Sequence, residues 1–357
     1  MIEKMTTYLF LFFITLILSF SVRSREGWRY AKALILVFVP FFLYGTLRTE
    51  CMDMDVYELS YENIYGNEFY QSVNERYEIG YSFLNYIVPN FKILIFVQTL
   101  VLVTAYLFVC EKYVQPRYLW LFVILFFLSG EKTVYFLTAM RNTIAVAILL
   151  FSLPLIKERK ILHFSGMVVL ASLFHTSALF FMPLAYIVGR NTKMKKWELM
   201  AWVGVLVFLL VVPVSVLVDQ VAVLIVGNDF EKYATYLKTA HENGFMAKTA
   251  SVFFSSIILY DITRNSIDKT HMVLGRLSLL FAYFPLTGTL NMRATYCYCV
   301  FILLYAVYSL SKGYKFRYRI VFVTMLAVYA AYAFFVIDAS SPYTGLSTYK
   351  SLIDINL

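Results

Sequence analysis

Long apolar runs alternate with short charged segments along nearly the whole of this chain. Shorter apolar runs fit helices that are tilted, broken or re-entrant. Since about 20 apolar residues cross a bilayer as a helix, the pattern predicts an all-α polytopic membrane protein with about 12 transmembrane helices, roughly 10 to 14. The predicted spans are 7–22, 31–47, 91–110, 118–130, 134–156, 161–174, 177–189, 199–218, 249–262, 272–290, 294–311 and 320–337.

The composition supports this interpretation. Of the 357 residues, 61% are hydrophobic, 18% aromatic and 15% charged, which is too apolar for a soluble domain of this size. The net charge of +9 then reports membrane orientation and not nucleic-acid binding. No linker or repeat interrupts the chain, so a single transmembrane domain over residues 1–357 is expected. Four scattered cysteines and four unclustered histidines predict no disulfide framework, no metal site and no cofactor.

Lysine and arginine separate by side of the membrane. The loops 23–32, 111–117, 157–160, 190–196, 263–271 and 312–319 carry 19 of the 31 basic residues, and the opposite segments carry 10. Because basic residues collect on the cytoplasmic side, both termini are expected outside. Two long segments, about 48–80 and 219–248, are then outer loops that form the extracytoplasmic substrate face. The first is acidic and rich in tyrosine, and the second is predicted to hold a short surface helix over 230–241.

Three arginines stand at outer ends of the predicted spans: Arg48, Arg141 and Arg293. Basic residues usually collect on the cytoplasmic side, so a set of outer arginines is unusual. A fixed guanidinium binds phosphate or pyrophosphate through paired charge-assisted hydrogen bonds. The set therefore predicts a phosphate-bearing ligand, although each arginine alone also fits contact with lipid headgroups or with a loop acid. Arg276 stands about one turn from the inner end of its span and is interpreted as structural.

His175 is the histidine at the outer end of an apolar run, and a return span follows it directly. An imidazole there can take a proton from a sugar hydroxyl or contact a phosphate oxygen, since its unperturbed pKa is near neutral. The alternative is that it caps the helical break through Thr176 and Ser177. The other histidines are expected in loops or near span boundaries: His163, His241 and His271.

Two carboxylates in the first outer loop are further candidate bases. Asp53 precedes Tyr57 by four residues, and Glu78 precedes a Gly80-Tyr81 step that starts a short apolar helix. No nucleotide-binding loop, Ser-His-Asp order or Rossmann fingerprint is present, so nucleotide-driven transport is not expected.

Four segments occur in a recognisable order. They are Leu47-Arg48 through Asp53 to Tyr57; Glu78-Ile79-Gly80-Tyr81 followed by Leu84; Arg141 to Leu150 with the basic turn Lys157 to Lys160 and the block Ala171 to Leu179; and Arg293 with Tyr296. In order and spacing they resemble the Wzy-type polysaccharide polymerases, in particular the EpsG-like branch of bacterial exopolysaccharide and O-antigen polymerases. Cys51-Met52 replace the Gly-Thr that often precedes the family's aspartate, and Asp55 is a second acid, so which aspartate corresponds stays open.

The resemblance implies a glycosyltransferase of the bacterial inner membrane. It would polymerise undecaprenyl-pyrophosphate-linked oligosaccharide repeat units into O-antigen, capsular or exopolysaccharide on the outer face. The residues implied are Arg48, Arg141 and Arg293 for pyrophosphate; Tyr57, Tyr81 and Tyr296 for sugar; and His175, Asp53 or Glu78 as base. The lipid bilayer surrounds such an enzyme, and a chain-length regulator and a flippase of the same pathway are expected partners.

Two other functions stay open. A lipid-linked sugar flippase or other carrier predicts charges along a path through the membrane, whereas the candidate charges here gather at one face. A membrane O-acyltransferase that modifies the glycan needs an acyl donor from the inner side, and no histidine is expected to be buried there.

Overall fold

A computed structural model describes residues 2–22, 27–51, 53–65, 77–212, 245–265, 268–287, 292–312, 317–338 and 350–351. Within these ranges each of the twelve predicted spans overlaps a helix. The helices are α1 (Ile2–Phe20), α2 (Gly27–Thr46), α3 (Met54–Tyr65), α4 (Ile79–Ile87), α5 (Phe91–Tyr113), α6 (Leu119–Leu128), α7 (Glu131–Thr138), α8 (Met140–Glu158), α9 (Ile161–Ser172), α10 (Ala178–Val188), α11 (Lys196–Val211), α12 (Phe245–Arg264), α13 (Lys269–Tyr283), α14 (Met292–Ser311) and α15 (Arg317–Tyr332). The surface helix predicted over 230–241 lies outside the described residues.

Four helical segments among the described residues are long and apolar enough to cross a bilayer. They are Arg29–Thr46, Phe91–Tyr113, Met140–Glu158 and Tyr318–Phe335. The shorter apolar helices are Thr7–Phe20, Pro116–Leu128, Ile161–Ser172, Ala178–Val188 and Tyr296–Ser311. These helices agree with the predicted all-α membrane protein, whereas the number of crossings stays a prediction.

The chain forms two compact units, and the first comprises residues 1–186 and 323–357. In this unit α5 packs against both α2 and α8, and α8 also packs against α9. Buried aromatic side chains fill the contacts near α1 and α6: the Tyr8 hydroxyl donates to the Phe127 carbonyl at 2.8 Å, and the Phe41 ring meets the Phe126 ring at 5.2 Å. A buried phenol needs such an acceptor. The prediction of one domain over the whole chain stays a prediction.

Two short strands join distant parts of this unit. Strand β1 (Arg48–Glu50) pairs antiparallel with β2 (Lys350–Ser351), so Arg48 lies opposite Ser351. Residues 350–351 therefore lie at the same end of α2 as Arg48. Which face is outside stays a prediction.

The predicted span 134–156 is not one continuous helix, because it is divided into α7 and α8. Ala139 leaves the helical conformation with φ −84° and ψ 68°, and α8 begins at Met140. The break frees the Phe136 carbonyl, which accepts hydrogen bonds from the Gln98 side chain at 2.8 Å and from the Thr143 hydroxyl. Buried helix ends need such partners. The break places Arg141 in the first turn of a new helix.

Helix α4, which the sequence predicts, is fastened to the end of α9 by its backbone. The Leu173 carbonyl accepts hydrogen bonds from Gly80 N at 2.8 Å and from Tyr81 N at 3.2 Å. A Cβ on Gly80 would lie 2.8 Å from both Cβ and O of Leu173, so glycine is required for this approach. The contact brings the residue before α4, Glu78, beside the turn that follows α9.

Replacing Gly80 with alanine should destabilise the protein by about 1–3 kcal/mol, because the added methyl group forces the two backbones apart. The measurement is the midpoint of thermal unfolding of the purified protein in detergent. Gly166→Ala in α9 is the matched control, because a Cβ there meets no atom within 4 Å. Equal midpoints for the two variants would contradict the close approach.

The second compact unit comprises residues 187–322, and in it α13 packs against α12 and α14. Arg276 of α13 is fully buried and donates through Nε and Nη2 to the two carboxylate oxygens of Glu198, at 2.8 and 3.1 Å. Its Nη1 donates to the carbonyls of Arg190 and Thr192. This bidentate buried pair agrees with the structural interpretation of Arg276.

Arg276→Ala should therefore cost about 3–5 kcal/mol, since removing one partner leaves the Glu198 carboxylate uncompensated in the interior. The expected result is a fall in the yield of folded protein and in its unfolding midpoint. Arg264→Ala, at an exposed position in the last turn of α12, is the control. An unchanged midpoint for Arg276→Ala would refute the structural role.

His271 lies at the third position of α13, close to a span boundary as the sequence predicts. Its burial is not predicted: the side chain is fully buried, and its Nε2 lies 3.0 Å from Asp261 Oδ2. The same carboxylate accepts hydrogen bonds from Tyr305, Tyr318 and Arg319. The reason is the helix start: the Asp268 side chain accepts from His271 N at 2.9 Å and caps α13 before the histidine. On the predicted topology, a buried histidine thus lies on the inner side.

Candidate active site

Glu78 is the centre of a polar cluster in the first unit. Its Oε2 accepts a hydrogen bond from Arg141 Nη1 at 2.8 Å, and its Oε1 faces His175 Nδ1 at 3.3 Å. Oε1 also accepts from the backbone N and the hydroxyl of Thr176, at 2.8 and 3.1 Å. The segment before α4, the first turn of α8 and the turn between α9 and α10 therefore meet at one carboxylate. We call these three side chains the Glu78–Arg141–His175 cluster.

The surroundings of Glu78 keep it ionised. Burial raises the pKa of its carboxyl, but hydrogen bonds from His175 and Thr176 and the charge of Arg141 outweigh burial, so the pKa lies well below its usual value. A carboxylate that remains charged at neutral pH is a weak base. Its stabilising contribution is complete above the ordinary carboxyl pKa and is lost only as the pH falls through the lowered value. Of the three candidate bases, Glu78 is thus better suited to orient its neighbours.

His175 lies in a tight turn, as the sequence predicts. Its backbone N donates to the Ala171 carbonyl at 3.0 Å, and its own carbonyl accepts from Ala178 N at 2.9 Å. Because Nδ1 faces a carboxylate, the proton of a neutral imidazole is favoured on Nδ1, which leaves a lone pair on Nε2. The side chain is 20% exposed, and within the described part of the chain Nε2 has no hydrogen bond. Nε2 is therefore placed to accept a proton.

Three tyrosines surround Arg141. Its Cζ lies 4.5 Å from the ring centroid of Tyr77, and the rings of Tyr57, Tyr77 and Tyr81 contact one another with centroids 5.6–6.3 Å apart. Burial raises the pKa of Tyr57, and the neighbouring guanidinium lowers it in part. Tyr77 was not predicted, although its place directly before Glu78 in an acidic loop is a signal. One side of the Arg141 guanidinium therefore lies against the Tyr77 ring.

The two tyrosines predicted to contact sugar in this unit are buried. Tyr57 is 8% exposed and Tyr81 is 0% exposed, and the Tyr81 hydroxyl points to Met140 Sδ at 3.8 Å. In this position Tyr81 supports the site from inside. Sugar contact by Tyr57 and Tyr81 stays a prediction, and the half-buried Tyr77 is the more accessible ring.

Asp53 lies exposed, directly before the start of α3. Its backbone has φ 64°, a left-handed conformation that is uncommon outside glycine and that stores strain. Its carbonyl accepts from Tyr57 N at 3.1 Å, and its charge raises the pKa of Tyr57 as a minor cause after burial. No hydrogen bond joins its side chain to Glu78, Arg141 or His175 in the described structure. A catalytic role for Asp53 stays a prediction.

Arg48 is buried, with 4% of its surface exposed. Its Nη1 donates to the Gly45 carbonyl at 2.9 Å and to Thr99 Oγ1 at 3.2 Å, and its Nη2 donates to Gln98 Oε1 at 2.5 Å. Its Nε is buried and has no hydrogen-bond partner among the residues that the structure describes. Pyrophosphate contact by Arg48 stays a prediction.

Arg293 and Tyr296 belong to α14 of the second unit. The Arg293 side chain lies outside the described residues, and Tyr296 is 6% exposed. Their roles in pyrophosphate and sugar binding stay predictions.

The apolar helices fit an all-α membrane protein, and in it Glu78, Arg141 and His175 bring a carboxylate, a guanidinium and an imidazole together. The family model of the EpsG family matches residues 30–351, a range that includes every motif described above. The chain belongs to the EpsG family, the family of Wzy-type polysaccharide polymerases. No curated protein sequence and no solved structure matches the chain significantly.

Proposed function

We propose that this protein polymerises undecaprenyl-pyrophosphate-linked oligosaccharide repeat units on the outer face of the bacterial inner membrane. The growing glycan moves from its undecaprenyl pyrophosphate carrier to the non-reducing end of an incoming lipid-linked unit. Membership of the EpsG family supports a polysaccharide polymerase role. The observation that carries the finer proposal is the meeting of Glu78, Arg141 and His175 at one place in the fold.

Each member of the cluster has a part in the transfer. His175 Nε2 takes the proton of the acceptor hydroxyl, whose oxygen forms a bond to the anomeric carbon. The bond from that carbon to the pyrophosphate oxygen breaks, and its electron pair leaves with the pyrophosphate. Arg141 stabilises the charge that develops there. Glu78 holds the Nδ1 proton and stabilises the imidazolium that forms.

Arg141 has the exposure that this role requires. Its side chain is 24% exposed, compared with 13% for Glu78, and Glu78 occupies only one of its guanidinium nitrogens. Tyr57 is within hydrogen-bonding reach of the same guanidinium, and among the described residues the buried Nε has no hydrogen-bond partner. An anionic oxygen is a better match for such donors than a neutral sugar oxygen, because hydrogen bonds between two charged groups are the stronger ones.

A gel of surface polysaccharide tests the function. The parent bacterium is compared with a strain that lacks this gene and with the complemented strain. Collapse of the size ladder to a single capped repeat in the deletion strain, restored by complementation, supports polymerisation. An unchanged ladder refutes it, and loss of all glycan with lipid-linked units held on the inner face indicates a flippase.

The sequence argues against an O-acyltransferase because no histidine is expected to be buried on the inner side. The buried His271 removes that argument. His271 is nevertheless 0% exposed and its Nε2 lies against Asp261, so it presents no accessible atom to an acyl donor. Polymerisation stays the better-supported function. In inside-out membrane vesicles, a requirement for a cytoplasmic acyl donor would favour acyl transfer.

A further inference from the structure

Arg48 is buried, and the described part of the chain provides no carboxylate to pair with it. Breaking or omitting the partner of a buried charge is costly, so such arginines normally meet a carboxylate. No carboxylate lies within ion-pair distance of Arg48 among the described residues. The hydrogen bonds from its Nη1 and Nη2 instead go to a carbonyl, a hydroxyl and an amide, those of Gly45, Thr99 and Gln98.

The hydrogen bond from Arg48 fixes the orientation of the Gln98 amide. A guanidinium donates only, so the atom of Gln98 that faces it must be the acceptor Oε1. The amide nitrogen then points the other way, and Nε2 donates to the Phe136 carbonyl at 2.8 Å. Arg48 therefore determines which group Gln98 offers to the end of α7.

The Phe136 carbonyl is one side of the break that precedes Arg141. On the other side, the Thr143 hydroxyl donates to the same carbonyl and Thr143 N donates to the Ala139 carbonyl at 3.0 Å. Arg141 lies midway between Ala139 and Thr143 in the sequence. A shift of the break consequently moves the first turn of α8 and changes the approach of Arg141 to Glu78.

We infer that Arg48 is a positioning residue, which holds Arg141 in its place through Gln98 and the α7–α8 break and does not contact the substrate. The inference rests on the proposed function, since the place of Arg141 matters for catalysis only if Arg141 meets the leaving pyrophosphate. A misplacement of about 1 Å at a reacting centre costs on the order of 100-fold in rate.

The test uses the purified full-length protein in lipid nanodiscs with a synthetic polyprenyl-pyrophosphate-linked repeat unit. Gln98→Glu is the decisive variant, because it keeps the acceptor for Arg48, adds a counterion, and removes the donor to Phe136. We expect kcat to fall at least about 10-fold with a smaller change in KM, while the unfolding midpoint does not fall. Thr104→Val, an exposed position on the same helix whose hydroxyl donates only within α5, is the control.

A double-mutant cycle separates positioning from direct binding. Arg48→Met and Gln98→Leu should each lower kcat, and the double variant should fall no further than the lower single variant. If Arg48 Nε contacts the substrate instead, Arg48→Met raises KM by itself, Gln98→Glu keeps the wild-type kcat, and the effects multiply; that result overturns the inference but leaves the proposed function standing. A wild-type protein that makes no polymer overturns both.

Discussion

Replacing Arg141 with alanine should abolish long-chain polysaccharide while the protein remains at its normal level. The guanidinium is the charged donor of the cluster, and removing one preorganised donor from such a site costs about 100-fold or more in rate. When Arg141 is removed, Glu78 keeps its hydrogen bonds from the backbone N and the hydroxyl of Thr176, so the protein should remain folded. The measurement is the size ladder of surface polysaccharide in the complemented deletion strain, with an immunoblot of the protein in membranes.

Arg117→Ala is the matched control, since this exposed arginine lies directly before α6, in a segment that contributes no residue to the Glu78–Arg141–His175 cluster. Arg141→Lys keeps the charge but loses the planar fork, so it should recover only part of the ladder. The loss expected for Arg293→Ala comes from the sequence alone. If Arg141→Ala still makes long chains at the wild-type protein level, the assignment of Arg141 to the site is wrong.

The cluster shows what a sequence can predict and what it cannot. Glu78, Arg141 and His175 were each candidates, because each is a polar residue beside an apolar run. Their meeting depends on the backbone contact between Gly80 and Leu173, two residues 93 positions apart. Periodicity reports which face of a helix is apolar, but it does not report which two helix ends touch.

The buried surroundings of Arg48 and the α7–α8 break are not predicted from the sequence for a related reason. A charge at the end of a span fits a ligand, a lipid headgroup or a buried acceptor equally well, and Gln98 within an apolar run does not show which segment it faces. The residue at the break is an alanine, Ala139, and not a proline or glycine that would mark it in the sequence. It is stabilised by the side chains of Gln98 and Thr143, which act on the Phe136 carbonyl from outside α7.

The burial of His271 had a local signal. Asp268 precedes Lys269-Thr270-His271, and an aspartate directly before an apolar-periodic run is a typical helix N-cap. With Asp268 as the N-cap, α13 begins before His271 instead of after it. The Asp261 partner, by contrast, required the tertiary contact between α12 and α13.

His175→Gln should lower kcat about 100- to 10,000-fold, the usual range for loss of a general base, with a smaller change in KM. Glutamine can still donate to Glu78 from its amide, so the cluster keeps its packing, but it offers no basic nitrogen to the acceptor hydroxyl. The measurement is transfer by the purified protein from a synthetic lipid-linked donor. Asp53→Asn is the comparison, and a larger loss there than in His175→Gln would make Asp53 the base.

The pH dependence tells the imidazole and the carboxylate apart. Because the pKa of Glu78 lies below its usual value, Glu78 remains ionised as the pH falls, so the acid limb of the wild-type pH–activity profile should not come from Glu78. Glu78→Gln removes the anion that stabilises the imidazolium formed during transfer, so it should lower kcat while the acid limb persists. An acid limb that disappears in Glu78→Gln while activity persists would instead identify Glu78 as the titrating group, and His175 would then serve to bind phosphate.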